Sequence, residues 1–201
     1  MCLPVLYSYV VDHDDGHAPN PYFGVCTLCR CKFRERKFRR GRRVPRNVVE
    51  LAKEGDWIVG TGGANPKKSA GGGMLVYVMR VDEKLSRQFY YVDPRFVRKK
   101  RRKTGTDAQA LGDNLRPKNG FEKHEQFALV SRHFYYFGSN AVSIPDRFLK
   151  LEKRGRGFKK RFDAAFVDSF LGWLEKNHKL GKHGEPCHRK PQGSGTCKSS
   201  C

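Results

Sequence analysis

No stretch of this 201-residue chain comes near the roughly 18 consecutive apolar residues of a membrane-spanning helix. The N-terminus lacks the basic start and apolar centre of a secretion signal. The expectation is a soluble, intracellular protein, cytoplasmic or, in a eukaryote, nuclear, with no membrane partner. Acid is also scarce. Only 20 Asp and Glu stand against 41 Lys and Arg, a formal charge of +21 with a pI near 10.0. A field of that sign attracts polyanions, so the expected partner is nucleic acid, DNA rather than RNA, or a nucleotide, bound more weakly as salt rises. Seven cysteines, an odd number in a chain without a secretion signal, argue against a disulfide framework. Two phosphate-binding signatures are missing as well. Lys67-Lys68-Ser69 follows Pro66, where a phosphate loop needs Gly before its Lys, and the GTGGAN run at 60–65 opens no helix. There is no internal repeat.

The segment 55–83 is the centre of what is present. Gly55-Asp56 turns into the apolar run Trp57-Ile58-Val59, a Gly- and Lys-rich loop follows, and a longer apolar run covers 74–81. Two β-rich runs bounded by Gly, Pro and Asn predict two strands joined by a mobile loop, the second buried on both faces. Residues 5–11 predict a first strand, 88–92 a third, and 127–131 with 134–137 two more. A short helix is expected over 45–54, with Pro45 in its first turn and Gly55 as its stop. Phe162, Phe166, Phe170, Trp173 and Leu174 recur at helical spacing and mark one core-facing stripe. Few helices and no regular crossovers predict an α+β fold, mainly antiparallel, curled into a sheet or barrel with a few flanking helices. The chain divides into one domain over 1–180, with a basic loop near 98–123, and a disordered polar tail over 181–201.

Two basic segments stand out. From Arg30 to Arg46 ten Lys and Arg accompany a single acid, with Phe33 and Phe38 among them; 98–103 reads RKKRRK. Arg34, Arg36, Lys37, Arg98, Lys99, Lys100, Arg101 and Arg102 are the candidate phosphate contacts. Cys26, Cys29 and Cys31 have the spacing to offer three thiolates to zinc, with His13, His17 or, far along the chain, Cys187 or His188 as the nearest candidates for a fourth ligand; zinc there is the minor reading, and no cofactor is expected. Cys26 or Cys31, beside Arg30 and Lys32, is instead a candidate catalytic thiolate, with Lys32 as electrostatic partner and Asp113 as acid or base; buried small hydrophobes are the competing account of the cysteines. His133 reads as structural. Phe134 to Phe137 put aromatics on both faces of one strand, so that one face can stack a base while the other packs the core.

Several segments together resemble a known family. They include Ala18-Pro19-Asn20-Pro21 with Gly24, Cys26-Thr27-Leu28, Cys31-Lys32, residues 55–62 (GDWIVGTG), Leu75-Val76-Tyr77, Gly112-Asp113-Asn114, and Ser131 followed by Phe134, Tyr136, Phe137 and Gly138. Trp173-Leu174, Gly181, Gly184 and Pro186 continue the series. The chain is similar to the second of the phage and bacterial nucleotide modification associated domain families, found beside genes that alter DNA bases. More loosely it is similar to PUA-like barrels of the EVE and ASCH kind, which hold a modified base in an aromatic and polar pocket. These resemblances imply a base- or nucleotide-binding set of Asn20, Thr27, Asp56, Trp57, Gly60, Thr61, Asn114, Ser131, Phe134 and Tyr136, with Tyr136 as the stacking partner. They imply a reader of a base, with an enzyme acting on it through a thiolate as the alternative.

Overall fold

The computed structural model describes residues 4–29, 38–39, 42–43, 47–99, 127–155 and 157–187. Strand β1 (Leu6–Val11) is buried along its whole length, in keeping with an apolar and aromatic run interrupted by Ser8 alone. Strand β2 (Cys26–Leu28) and a two-residue hairpin of β3 (Phe38–Arg39) and β4 (Arg42–Arg43) precede helix α1 (Val48–Leu51). That helix opens where the Asn47 side chain accepts from the Glu50 N–H at 2.8 Å. Strands β5 (Trp57–Gly62) and β6 (Met74–Arg80) form the expected antiparallel pair.

Strand β7 (Glu83–Ser86) and helix α2 (Arg87–Val92) correct the third predicted strand. The aromatic run at 89–92 favours a strand by propensity, but Ser86 accepts from the Phe89 N–H at 3.2 Å and starts a helix one residue earlier. Arg87 and Tyr90, three apart, then share its buried side, and Pro94 ends it at Asp93. A 3₁₀ segment, Pro94–Lys99, follows. Strands β8 (Phe127–Ser131), β9 (Phe134–Tyr136), β10 (Val142–Ser143) and β11 (Phe158–Lys159) lead to helix α3 (Ala164–Asn177) and the closing β12 (Gly181–Lys182). Residues 181–182, at the start of the predicted tail, thus pair with β9, while 188–201 lie outside the described residues.

The main sheet has the order β11-β1-β5-β6-β9-β12, with β10 on β6, and a second sheet has the order β2-β8-β7. The fold is mixed α+β with few helices, and most of its strand pairs are antiparallel, as expected. β1 pairs with β5 in parallel, however, and so does β12 with β9, so the sheet is mixed rather than purely antiparallel. Nor do the described residues close a barrel. The sheet runs open from β11 to β12, and these two end strands do not pair with each other.

Three apolar layers follow from the side-chain alternation. Leu6, Val59, Val78 and Tyr135 meet Phe170 and Leu174 of α3 on one face of the main sheet, which is the stripe predicted for that helix. Tyr7, Tyr9, Ile58, Met79 and Tyr136 on the other face meet Cys26, Leu28 and Leu129 of the second sheet and Val48 of α1. Cys29, Ala128 and Val130 form a third cluster with Tyr90 and Phe96. No helix among the described residues is long and apolar enough to cross a membrane.

Candidate functional site

Because β5 and β9 each run antiparallel to β6, strands β1, β5, β9 and β12 all point the same way. Their C-terminal ends, at Val11, Gly62, Tyr136 and Lys182, share one edge of the sheet. Strand ends of that kind are where sheets built on parallel pairs commonly place ligands. Asp14 stands at the centre of this edge, 1 % exposed. Its N–H donates to the Lys68 carbonyl at 2.8 Å, its Oδ1 accepts from the Tyr136 hydroxyl at 2.5 Å, and its Oδ2 accepts from the Cys187 N–H at 3.2 Å. One residue thereby joins the loops after β1 and β5 to the end of β9 and the segment after β12. Burial pushes the Asp14 carboxyl above its ordinary range, against the opposing pull of the bonds from Tyr136 and Cys187. Burial and the neighbouring Asp14 carboxylate push the Tyr136 phenol far upward too.

The Gly-rich loop expected to be mobile is fastened to the same edge. Ser69 Oγ accepts from the Gly63 N–H at 2.9 Å and donates to the Val11 carbonyl at 2.5 Å, and Asn65 Oδ1 accepts from the Lys67 N–H at 3.0 Å. Gly62 lies so close to the Gly71 carbonyl that a Cβ there has no room. Around this buried anchor stand exposed Asp12, His13, Asp15, Lys67, Lys68 and Lys182, with half-buried Tyr22 and Cys187. Tyr22 donates its hydroxyl to Glu185 at 3.1 Å, and Lys182, paired with that same carboxylate, stands 5.1 Å over the Tyr22 ring.

Phe23 sits next to Tyr22 with φ of 61°, and Gly24 follows at 78°. Positive φ at two successive residues is the geometry of a type I′ turn, which favours Asn or Gly at its first central position. For a side chain with a Cβ that conformation is strained by about 1–2 kcal/mol. The Arg98 guanidinium, 4.2 Å over the ring, returns about 0.5–1 kcal/mol at an exposed site. The contact therefore offsets only about half of the strain.

A family profile described as Nucleotide modification associated domain 2 matches residues 3–128 and 118–192. The chain belongs to this family. No curated protein and no solved structure gives a significant match.

The base-binding residues expected for a nucleotide modification associated domain do not gather in one place. Asn20 and Thr27 do come together, exchanging backbone hydrogen bonds at 2.9 Å, but they enclose Lys99 rather than a cavity. Its Nζ donates to the Asn20 carbonyl at 2.9 Å, Asn20 Oδ1 at 2.8 Å, the Val25 carbonyl at 2.8 Å and, more loosely, Thr27 Oγ1 at 3.4 Å. Lys99 is 1 % exposed, so this cation of the basic run faces inward while exposed Arg98 beside it meets solvent. Asp56 is occupied with backbone, accepting from the Val5 and Lys53 N–H groups at 2.8 Å each. Trp57 packs in the α3-side cluster, whereas Tyr136 and Phe134 belong to the cluster on the opposite face. Thr61 donates to the Tyr9 carbonyl at 3.2 Å, and Gly60 leaves room for the Tyr77 ring. Ser131 donates to the His133 carbonyl at 2.9 Å within the β8–β9 turn. His133 itself stands perpendicular to the Trp57 ring, centroids 5.3 Å apart, and burial lowers its pKa.

Cys26 is wholly buried between the two sheets and Cys29 lies in the separate α2-side cluster, so these two thiols do not share a site. No group of three or more His, Cys, Asp or Glu able to hold a metal occurs among the described residues. Cys31, Lys32, Arg34, Arg36, Lys37, Lys100, Arg101, Arg102, Asp113 and Asn114 lie outside the described residues. Sequence reasoning passed over Asp14. Its signal was a loop carrying three acids, a Gly and two prolines directly after a wholly buried strand.

Proposed function

We propose that this domain binds a nucleotide, or one base of a nucleic acid, at the strand-end edge and serves base modification there. The observation that carries the reading is the Asp14 junction, which draws the loops after β1 and β5 and the segment after β12 into one fixed arrangement. Lys67 and Lys68 hold the phosphate as exposed cations on a fastened loop. The Tyr22 ring supplies a stacking surface, and the Asp12 and Asp15 carboxylates accept from amino groups of the base. Asp14, being buried, positions these groups rather than touching the ligand. The membership of the chain in a family named for nucleotide modification supports the class of ligand.

An enzyme working through a thiolate is the second reading, and here the edge favours a different cysteine from the one expected. Cys26 is sealed in the core, whereas Cys187 is half-buried with its N–H on Asp14. Turnover that survives Cys187→Ser and Cys31→Ser together rules out the thiol.

Calorimetric titration of the full chain with the deoxynucleoside monophosphates tests the primary reading. Lys67→Ala with Lys68→Ala alters two exposed side chains, so stability stays within about 0.5 kcal/mol. Affinity should fall about tenfold or more, in line with the loss of two phosphate contacts. Unchanged affinity in the folded double variant would remove the phosphate from this loop and the reading with it.

A further inference from the structure

Tyr22 and Phe23 are adjacent aromatic residues on the surface beside the edge, with ring centroids 6.2 Å apart and planes tilted by 50°. Each carries a cation: Lys182 over Tyr22 at 5.1 Å and Arg98 over Phe23 at 4.2 Å. Phe23 is 36 % exposed, although it occupies a turn position that Asn or Gly would fill without strain. A buried hydrophobe can be explained by the apolar surface it removes from water. That accounts for only part of Phe23, which remains an exposed hydrophobe on a backbone strained at positive φ. Aromatic rings interleaved with cations, in a chain of charge +21, match the chemistry of successive stacked bases joined by phosphates. A free mononucleotide would occupy only one such position. The row Lys182, Tyr22, Phe23, Arg98 extends from the Asp14 edge toward the 3₁₀ segment that ends in Lys99.

We propose that Tyr22 and Phe23, flanked by Lys182 and Arg98, form a stacking track for a single-stranded nucleic acid, so that the base held at the edge belongs to a polymer. The track rests on the proposed reading of the edge, since it delivers a neighbouring nucleotide to it. Bases stack on both rings without sequence preference, because every base has a π-face, and the cations meet the phosphates between them. Arg98, already against Phe23, keeps that ring upright for a base.

The test is fluorescence anisotropy on the full chain with labelled 15-residue oligo-dT and oligo-U, a matching duplex as competitor, and dTMP titrated separately. Phe23→Asn is the chosen variant because Asn tolerates positive φ, so the turn survives and the melting temperature should hold or rise. Oligomer affinity should fall about tenfold, the loss of one stacked base, while dTMP affinity stays as in the parent. Arg98→Ala should lower the slope of log affinity against log salt by about one. Tighter binding of either oligomer supports the track and identifies its sugar. Full oligomer affinity in folded Phe23→Asn, or a duplex that competes as well as single strand, overturns it. The two readings fail separately. Lys67→Ala with Lys68→Ala weakening dTMP while Phe23→Asn changes nothing leaves the edge standing without the track. The opposite pattern leaves the track and removes the edge.

Discussion

Replacing Lys99 with methionine should lower the unfolding free energy by about 1–3 kcal/mol, the scale of losing the hydrogen bonds of a charged donor to buried oxygens. The ammonium donates to the carbonyls of Asn20 and Val25 and to the Asn20 side chain, all within 2.9 Å. Methionine fills the volume but donates nothing, so the Val25 carbonyl loses this donor, the Asn20 carbonyl keeps only the Thr27 N–H, and Asn20 Oδ1 keeps only a longer bond from the Tyr22 N–H. At about 2–4 °C per kcal/mol for a domain of this size, melting should fall by about 5 °C, followed by circular dichroism. Arg98→Ala is the control. One residue away and exposed, it loses only its contact with the Phe23 ring and should shift stability by no more than about 1 kcal/mol. At temperatures where Lys99→Met remains folded, the salt slope of the proposed nucleic-acid binding should match the parent. A variant that melts with the parent would mean that Lys99 does not bolt the Asn20 turn to the 3₁₀ segment.

The same contrast shows where a sequence stops being informative. Residues 98–103 read as six equivalent cations, and nothing local distinguishes the second from the first. What turns Lys99 inward is a set of acceptors 74 and 79 residues earlier in the chain. The local signals were reliable where burial alone decides: the largely apolar β1 and β6, the Gly- and Asn-bounded hairpin, and the Phe–Trp stripe of α3. They misled at 88–92, where β-branched and aromatic propensity lost to one Ser hydroxyl on the Phe89 N–H. Strand direction was also out of reach. β1 joins β5 in parallel across an intervening stretch that carries a strand of the second sheet rather than one long crossover helix, so the usual signal of parallel pairing is missing. That pairing is what brings four strand ends to one edge. Face assignment failed for a related reason. Trp57 and Tyr136 were expected around one base, but the registers of their strands put them on opposite faces, and a shift of one residue would reverse either.

Asp14 gives the second large effect, and its sign follows from linkage. Burial raises its folded-state pKa above the ordinary value of 3.8, so the folded protein holds this proton more tightly than the unfolded chain does. Its contribution is fully present below about pH 4 and is lost as pH rises through the raised value. Other carboxylates work the opposite way at low pH; Asp163, at the N-terminus of α3 and bonded to the Phe166 N–H, is held below its ordinary value. Comparing the parent with Asp14→Asn cancels those shared terms. Urea unfolding between pH 4 and 8 should therefore show the parent losing stability relative to Asp14→Asn as pH rises. Tyr136→Phe should move the other way from Asp14→Asn. It removes the 2.5 Å hydroxyl bond that helps hold the carboxyl down and leaves a buried oxygen short of a donor. The variant should be less stable at pH 7 by about 1–3 kcal/mol. Its decline should also reach higher pH, because the carboxyl it leaves behind titrates later. A parent and Asp14→Asn whose stabilities differ by the same amount at pH 4 and pH 8 would show that Asp14 titrates as an ordinary surface carboxylate. The junction that gathers the loops at the edge would then have to be sought elsewhere.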